Sequence, residues 1–424
     1  MPDLFTPITR DDRQKQCIKS WLKHNGLGTI VACTGFGKTR TAIKAIQLLL
    51  SKYPTYSATV IVPTDVLKEQ WQQLLDKEGL AFNCNVQVIN SAIKHEHNTD
   101  ILVLDEAHRY NSDLFSQVFQ KIKYKYILGL TATFERLDGK EKIMAHYCPV
   151  VDTITIEEAL LNKWVSDYTE YEVIIDVPDI KEYKALNKEF ISHFEFFNFD
   201  YSLAMSLLGA DGYKARLRYR DSICPNGSKA DRDNILKAVT IHSMGFMRCI
   251  QARKKFINNH PKKLEIARKI IEARKNKKII TFSNNVKMAE SIGMGDVYTG
   301  KVSKKKGRTT IEEFNKRETG LLNTVKKADE GIDVSGLSVA IVLGLDSAKT
   351  KAVQRRGRAI RYAEGKKAEI FNIIINHTTE LKWFENSHAG SNYITVDEYN
   401  LDKILKGEDF DTYQKPIEKI AFRY

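Results

Sequence analysis

The chain has 424 residues, of which 42% are hydrophobic, so it is long enough for two or three soluble domains. Its apolar runs stay well below the ~20 residues of a membrane span, and its first residues lack the features of a signal peptide, so we expect no membrane partner and a cytoplasmic location. The six cysteines form no CxxC pair, which argues against a zinc site, and the formal charge of +13 predicts a polyanionic partner, with nucleic acid first.

The N-terminal segment is predicted to form an amphipathic helix just upstream of a glycine-rich loop. Apolar Ile18, Trp21 and Leu22 follow Gln14 at helical spacing. A glutamine amide both donates and accepts hydrogen bonds, so Gln14 is our candidate for binding an adenine base, and Gln16 is the second candidate. A surface glutamine on the same helix is an equal alternative.

A short β-branched run, Thr29-Ile30-Val31, precedes the glycine-rich loop, and a helical pattern follows it. Strand, glycine-rich turn and helix in this order form a phosphate cradle, because backbone N–H groups at the helix N-terminus point at the anion. The candidate nucleotide-binding residues are Thr34, Gly35, Phe36, Gly37, Lys38 and Thr39. Lys38 supplies a point charge for the β- and γ-phosphates, and the Thr39 hydroxyl is a ligand for Mg²⁺.

Four further hydrophobic runs predict strands of a parallel sheet that is covered on both faces. They span residues 58–62, 86–89, 101–104 and 126–130. A polar segment follows each run, at the edge where open α/β sheets bind ligands. These segments are Pro63-Thr64, Asn90-Ser91, Asp105-Glu106-Ala107-His108 and Thr131-Ala132-Thr133.

The acidic pair after the third of these runs predicts hydrolytic chemistry. Asp105 is placed to hold Mg²⁺ opposite Thr39, and Glu106 is placed to orient and deprotonate an attacking water. His108 is placed to relay the state of the γ-phosphate to the parts that move. The alternative is an acidic pair that only caps the next helix, and the phosphate loop upstream argues against it.

Residues 156–262 are predicted to be a mostly helical insert or linker. Its phenylalanines between residues 190 and 199 favour core packing over base-stacking platforms. Lys214, Arg216, Arg218 and Arg220 alternate with other residues, and they suit a phosphate backbone or a solvated face equally well.

A second α/β pattern begins at Lys263 and has no phosphate loop of its own. Within it, the segment Gln354-Arg355-Arg356-Gly357-Arg358-Ala359-Ile360-Arg361 holds four arginines in eight residues. On a helix, Gln354, Arg358 and Arg361 share one face, which suits arginine fingers aimed at a triphosphate on another domain. The alternative is a basic helix that binds backbone phosphates.

The order of these motifs resembles that of the superfamily 2 helicases of the DEAH-box type. The resemblance covers about residues 1–150 and 263–385, and it is carried by residues 32–39, 63–71, 105–108, 131–133 and 354–361. The segment from Gly129 to Gly139 is similar to the DNA-directed branch that includes UvsW-like, XPB-like and restriction-type motors, although Phe134 stands where proline is usual.

The resemblance implies an α/β fold with two tandem RecA-like parallel-sheet lobes and a mostly helical insert between them. The expected divisions are the ATP-binding lobe at 1–155, the insert at 156–262 as a candidate DNA contact, the second lobe at 263–388, and a tail at 389–424.

The resemblance also implies ATP and Mg²⁺ as cofactors and particular roles for the motif residues. The expected catalytic residues are Lys38, Glu106, Gln354, Arg358 and Arg361. The metal site is expected at Thr39 and Asp105, and Gly331 and Asp333 are expected to complete the nucleotide site. The coupling residues are expected to be His108, Thr131, Ala132 and Thr133. The residues expected to grip a nucleic-acid backbone are Pro63, Thr64, Asn90, Ser91 and Ser283.

The leading hypothesis is therefore a monomeric, ATP-dependent DNA helicase or translocase that unwinds or branch-migrates forked DNA. The alternatives are a duplex-DNA remodeller or restriction-type motor without strand separation, an RNA helicase, and an inactive ATP-sensing scaffold. A phage origin, with the bacterial host cytoplasm as the location, suits the compact and lysine-rich chain.

Overall fold

The computed structural model describes residues 7–112, 114–134, 142–209, 211–299, 304–325, 334–345, 349–363 and 365–413 of the protein. These residues fold into two lobes, each built on a parallel sheet, with a group of helices between them. The predicted α/β architecture is thereby confirmed. None of the described helices combines the length and apolar character that crossing a membrane requires.

The first lobe contains a strand or a helix for each pattern predicted before residue 155. Its strands are β1 (Leu27–Ala32), β2 (Ala58–Val62), β3 (Cys84–Val88), β4 (His97–Asn98), β5 (Ile101–Asp105), β6 (Ile122–Lys123), β7 (Tyr126–Thr131) and β8 (Val150–Ile154). Its helices are α1 (Arg10–Lys23), α2 (Lys38–Lys52), α3 (Asp65–Lys77), α4 (Ile89–Ala92), α5 (Val118–Lys121) and α6 (Lys142–Tyr147), with 3₁₀ turns at Ala107–Asn111 and Phe115–Gln117.

The main sheet of the first lobe has the described strand order β3-β2-β5-β7-β1-β8, and all of these pairs are parallel. Strands β2 and β5 are buried along their whole length, as fully apolar strands are when helices cover both faces of a sheet. Because the strands are parallel, the segments that follow β1, β5 and β7 meet at one edge. The topology therefore brings together the glycine-rich loop, the acidic pair and the threonine segment.

The remainder of the described chain forms the second lobe and the helices beside it. The strands are β9 (Asp167–Ile175), β10 (Lys278–Ser283), β11 (Asp296–Tyr298), β12 (Gly320–Val325), β13 (Val339–Val342), β14 (Lys367–Ile375) and β15 (Ile394–Val396). The helices are α7 (Ile156–Leu161), α8 (Ile180–Glu195), α9 (Tyr201–Ser206), α10 (Gly212–Ile223), α11 (Lys229–Asn259), α12 (Pro261–Ala273), α13 (Val286–Ser291), α14 (Lys304–Lys316), α15 (Lys349–Ala359), α16 (Glu380–Ser387) and α17 (Glu398–Lys406).

The second sheet extends beyond the expected divisions of the chain. Its described strand order is β11-β12-β10-β13-β14-β9-β15, again with parallel pairs. The domain boundaries expected from the sequence placed β9 in the insert and β15 in the tail. In the structure both strands belong to the second sheet, where β9 lies between β14 and β15. The physical reason is burial: β9 is buried from Glu170 to Ile175, which requires a neighbouring strand on each edge and cover on both faces.

The helical insert proper runs from α8 to α11 and has a hydrophobic core of its own. The long helix α11 packs along α8. Phe194, Phe197 and Phe246 are buried in the core of the insert, while Phe190 and Phe199 pack against it partly exposed. This packing agrees with the interpretation of these phenylalanines as core residues, although the partly exposed rings also line a groove.

Candidate active site between the two lobes

The glycine-rich loop between β1 and α2 has the backbone geometry of a phosphate cradle. Gly35 and Gly37 have φ angles of 90° and 96°, in the left-handed region that glycine adopts without strain. Gly37 is the N-cap of α2, so the first N–H groups of this helix are available to an anion in the cleft. Lys38 Nζ donates to Ala32 O at 3.1 Å, which folds the lysine back over its own loop.

Gln14 supports this loop from behind and is not among the residues that line the cleft. Its side chain is buried; Nε2 donates to Phe36 O at 3.2 Å, and Oε1 accepts from Lys44 Nζ at 2.8 Å. The buried Phe36 ring packs against Trp164, with 5.4 Å between the ring centroids. Both ends of the Gln14 amide are thus occupied by the protein, and its contact with adenine stays a prediction.

The acidic pair ends β5 at the same edge of the sheet. Trp71 Nε1 donates to Asp105 Oδ2 at 2.8 Å, and Glu106 N donates to Asp105 Oδ1 at 3.0 Å, so both carboxylate oxygens are held. Burial and, next, the negative charge of Glu106 raise the pKa of Asp105 to about 6. The sequence motif contains Trp71 but gives no sign that it holds the aspartate.

The residues around Asp105 fit a divalent cation. Thr39, Asp105 and Glu106 line one cleft, so a hydroxyl and two carboxylates face the same space. Asp105 is desolvated beside a second carboxylate, and Glu106 Oε2 is buried with no hydrogen-bond partner in the described part of the chain. Oxygen ligands with excess negative charge are the donors that Mg²⁺ prefers, so the predicted donor set suits this ion.

His108 joins the acidic pair to the threonine segment after β7. Its Nδ1 lies 3.4 Å from Glu106 Oε2 and 3.1 Å from Thr131 Oγ1. The Thr131 hydroxyl donates its only proton to Thr133 O at 2.7 Å, so it accepts from His108, and this places a proton on Nδ1. The predicted coupling residues therefore form one continuous path, with Ala132 between the two threonines.

Two of the four clustered arginines are held inside the second lobe. Arg355 Nη1 donates to Gly344 O at 2.8 Å, and Arg356 Nε donates to Glu170 Oε2 on β9 at 2.8 Å. His388 Nε2 lies 3.0 Å from Glu170 Oε1. Burial raises the pKa of Glu170, but the hydrogen bond from His388 and the charge of Arg356 outweigh it and hold that pKa below its usual value. These two arginines stabilise the lobe and leave the other two for the cleft.

Gln354 and Arg358 line the cleft from one face of α15, as predicted, whereas Arg361 lines it from beyond the end of this helix, in a β-bridge with Val165. The two lobes touch beside them, because Gly357 packs directly on Thr34 of the glycine-rich loop. A Cβ on Gly357 would lie 1.7 Å from Thr34 Oγ1, and this hydroxyl donates to a carbonyl of α15 at 3.4 Å. The glycine of the arginine motif is thus required by the close approach of the lobes.

The cleft formed in this way has a volume of about 900 Å³, which is large enough for a nucleoside triphosphate. The residues predicted for nucleotide, metal or catalytic roles that it brings together are Thr34, Gly35, Gly37, Lys38, Thr39, Asp105, Glu106, Gln354, Arg358 and Arg361. Arg10, Arg109 and Tyr362 also line it, and no motif in the sequence indicates them. Arg10 is held by the backbone carbonyl of Trp164, which orients its guanidinium.

The residues predicted to grip nucleic acid lie in different environments. Pro63 lines the cleft, and Thr64 caps α3 by accepting from Leu67 N at 3.4 Å. Asn90 and Ser91 are exposed on α4. Ser283 is completely buried at the end of β10, an inner strand of its sheet, so in this conformation its side chain cannot touch a bound strand as predicted. The predicted residues Gly331 and Asp333 lie outside the described residues.

Two family models match the chain on either side of the insert. Residues 8–96 and 81–136 match the model described as "Type III restriction enzyme, res subunit". Residues 262–363 match the "Helicase conserved C-terminal domain". These segments contain the glycine-rich loop, the acidic pair and the arginine helix, so the matches fall on both halves of the cleft.

Curated relatives and solved structures share this architecture. The DNA 3'-5' translocase XPB2 of Sulfurisphaera tokodaii is 26% identical over 408 residues, covering 89% of this chain and 85% of that protein. The African swine fever virus protein named "Putative ATP-dependent RNA helicase QP509L" is 36% identical over 139 residues. This match covers 27% of this chain and 26% of that protein. The structure of S. cerevisiae Dbp5 bound to RNA and ADP BeF3 has a TM-score of 0.56 at 14% identity and covers 93% of this chain and 91% of that chain, which shows a shared fold.

The fold and the cleft define a motor enzyme that hydrolyses ATP and works on nucleic acid. Its two sheets are the expected pair of RecA-like lobes. With one matching model on each lobe, the chain belongs to helicase superfamily 2.

Proposed function

We propose that this protein is an ATP-driven DNA translocase that unwinds or branch-migrates forked DNA with Mg²⁺ as its cofactor. The observation that supports this most directly is the composition of the cleft, to which the first lobe supplies Lys38 and Glu106 and the second supplies Arg358 and Arg361. Such a site is complete only while the lobes are closed, so each cycle of hydrolysis is tied to a cycle of lobe movement.

The residues of the cleft divide the work of hydrolysis between them. The N-terminus of α2 and Lys38 hold the β- and γ-phosphates. Glu106 accepts a proton from the attacking water. The water oxygen bonds to the γ-phosphorus, and the bond between the γ-phosphorus and the ADP oxygen breaks. Arg358 and Arg361 balance the charge on the transferring group. Mg²⁺, when bound at Thr39 and Asp105, supplies further charge neutralisation.

Release of phosphate removes the anion that holds the arginines against the first lobe, so the cleft opens. We place the strand along the rim that carries Thr64, Asn90 and Ser91, where backbone contacts confer little sequence preference. The path from Glu106 through His108 to Thr131 connects the hydrolytic centre to this edge of the sheet. Alternate opening and closing then moves the lobes along the strand.

DNA is the proposed track, since XPB2, which aligns over 89% of this chain and 85% of its own length, is named a DNA translocase. RNA is the second candidate, because a viral relative is named for RNA and one solved neighbour is bound to RNA. Motor contacts to the phosphate backbone serve either polymer, and only contacts to the 2′-hydroxyl separate them.

The deciding experiment measures ATP turnover by the purified protein with single-stranded DNA, forked DNA and RNA of matching sequence. We expect DNA to stimulate turnover more than RNA does. Stronger stimulation by RNA would favour the second candidate, and no stimulation by either polymer would remove the proposal. A strand-displacement assay beside a fork-regression assay then separates unwinding from remodelling without strand separation.

A further inference from the structure

A second cavity, of about 580 Å³, lies between the helical insert and the second lobe. We name it the insert groove; its lining includes Tyr201, Arg253, Asn284, Lys382 and Trp383. It is separate from the ATP cleft, with which it shares no lining residue among those that the structure describes. Its lining combines aromatic rings, basic side chains and side-chain amides, and within the described ranges it contains no carboxylate.

The charge of Arg253 is the most telling feature of the groove. Arg253 is only 9% exposed, and no carboxylate among the described residues comes within ion-pair distance of it. Its Nε donates to Tyr183 OH at 3.4 Å, and its guanidinium lies 4.2 Å from the ring centroid of Phe190. A buried charge is costly unless an anion or other polar partner meets it. Arg253 therefore makes the groove a prepared anion site, and exposed Lys254 and Lys382 add to its positive potential.

The aromatic side chains give the groove a second kind of contact. Tyr201 is 56% exposed at the start of α9, and Trp383 is half-buried on α16. The Tyr201 ring lines the cavity from the insert, and the Trp383 ring lines it from the second lobe. Rings of this kind stack on nucleobases of any sequence. An anion site beside aromatic rings matches the phosphate and base of one nucleotide.

Asn284 adds a fixed hydrogen-bond acceptor. Its Nδ2 donates to Asn258 Oδ1 at 2.6 Å, while its Oδ1 is buried with no hydrogen-bond partner among the described residues. Gly344 packs against the amide so closely that a Cβ there would lie 2.4 Å from Asn284 Cγ, which keeps the side chain in place. An unpaired, immobilised acceptor in a cavity suits the N–H group of a base.

We propose that the insert groove binds one nucleotide unit of the single strand on which the motor acts, an inference that rests on the proposed function. Arg253 and Lys382 hold the phosphodiester, Tyr201 and Trp383 stack on the base, and Asn284 accepts a hydrogen bond from it. A free nucleotide has the same chemistry. One buried guanidinium without a glycine-rich loop fits the single negative charge of a phosphodiester better than a triphosphate.

The test compares two double variants that change the same residue types at different places. Tyr201→Ala with Lys382→Glu alters the rim of the groove. Tyr399→Ala with Lys406→Glu makes the same changes on α17, outside the lining. Tyr201 and Tyr399 are 56% and 68% exposed, so neither variant removes a core side chain. Thermal unfolding of both checks that the fold is intact.

Affinity for a fluorescein-labelled oligo(dT) is measured by anisotropy over a range of salt concentrations. We expect the groove variant to bind about ten-fold or more weakly than wild type, with a salt slope smaller by about 0.7, the value for one lost phosphate contact on a single strand. The α17 variant should match wild type. An oligonucleotide carrying 5-iododeoxyuridine should crosslink to Tyr201 or Trp383 on irradiation.

The outcomes separate this inference from the proposed function. If DNA stimulates wild-type ATP turnover but both double variants bind oligo(dT) equally, the groove is not a strand site and the proposed function stands. Labelling of the groove aromatics by 8-azido-ATP that oligo(dT) does not compete away would overturn the inference in favour of a free nucleotide. If wild type neither binds nor responds to any nucleic acid, the proposed function fails and the inference fails with it.

Discussion

Replacing Gly357 by alanine tests whether the touching lobes are the catalytic arrangement. Gly357 lies within α15, where alanine is favoured over glycine by ~1 kcal/mol, so the second lobe alone should tolerate the change or gain from it. The added Cβ, however, would lie 1.7 Å from Thr34 Oγ1 and 2.1 Å from Thr34 Cβ of the other lobe. The substitution is therefore harmful only in the closed state.

The size of the effect follows from these distances. Carbon atoms in contact need ~3.5 Å, so the loop and α15 must separate by about 1 Å or more. Rotation of the Thr34 side chain relieves the contact with Oγ1 but not the contact with Cβ, which moves only with the backbone. Since a displacement of about 1 Å can cost ~100-fold in rate, we expect kcat for DNA-stimulated hydrolysis to fall about 100-fold. Binding of ATP should persist, because Lys38 and its loop are unchanged.

A second substitution makes the assay specific. Thr34→Gly removes the clashing Cβ and should restore much of the turnover of Gly357→Ala, whereas Thr34→Ala keeps that atom and should restore little. Turnover with DNA and binding of a fluorescent ATP analogue are measured for the single and double variants. The single Thr34 variants show how much each Thr34 substitution alone changes turnover and binding. Wild-type turnover in Gly357→Ala alone, or equal rescue by both Thr34 changes, would refute the closed arrangement.

Three further predictions concern other residues of the cleft. Glu106→Gln should bind ATP and DNA without hydrolysis, since an amide cannot take the proton; unchanged turnover would mean that another group is the base. Arg358→Ala should retain nucleotide binding and lose about 10³-fold in kcat, and near-normal turnover would remove the two-lobe mechanism. Asp105→Asn should abolish turnover yet raise the melting temperature of the nucleotide-free protein at pH 8. The folded-state pKa of about 6 lies above the unfolded value, so the penalty of the charged form, at most roughly 3 kcal/mol, is present above pH 6 and fades towards pH 4. A stabilisation that is equal at pH 8 and pH 4 would contradict this cause.

The parts of the cleft that were predictable are those whose spacing a bound triphosphate dictates. Lys38 follows β1 after the glycine-rich loop, and Glu106 follows β5 directly, so the parallel topology alone brings both to one edge. Likewise, the helical period separates Arg358 from Arg355 and Arg356, as the structure has them, although α15 ends before Arg361. In each case a local pattern carries the information.

The parts that were not predictable depend on pairing between distant segments. The pattern of β9 indicates a strand, but nothing in it indicates that Asp167 pairs with Lys367, so the strand was assigned to the insert. The same holds for single contacts such as Trp71 with Asp105 and Glu170 with Arg356. A hydrophobic period reports which face of an element is buried and carries no information about the neighbour that buries it.

These distant contacts also connect the insert groove to the arginine helix. Arg253 donates to Tyr183 OH, which lies 2.9 Å from Thr379 Oγ1 at the start of α16. At the other end of α16, His388 contacts the buried carboxylate of Glu170, which is the partner of Arg356 inside the second lobe. The groove and the arginine helix are therefore joined by hydrogen bonds and one rigid helix.

This connection constrains how strand and nucleotide must influence each other. If a strand in the insert groove favours the position of α15 in which Arg358 and Arg361 reach the cleft, then ATP must tighten binding of the strand by the same factor, because coupling of two binding equilibria is reciprocal. Arg356 is the point of transmission, since it precedes Arg358 on one helix and is fixed through Glu170 to the strand that leads into the insert. On this proposal, the interior contact of Arg356 with Glu170 sets the position of Arg358 and Arg361 at the cleft.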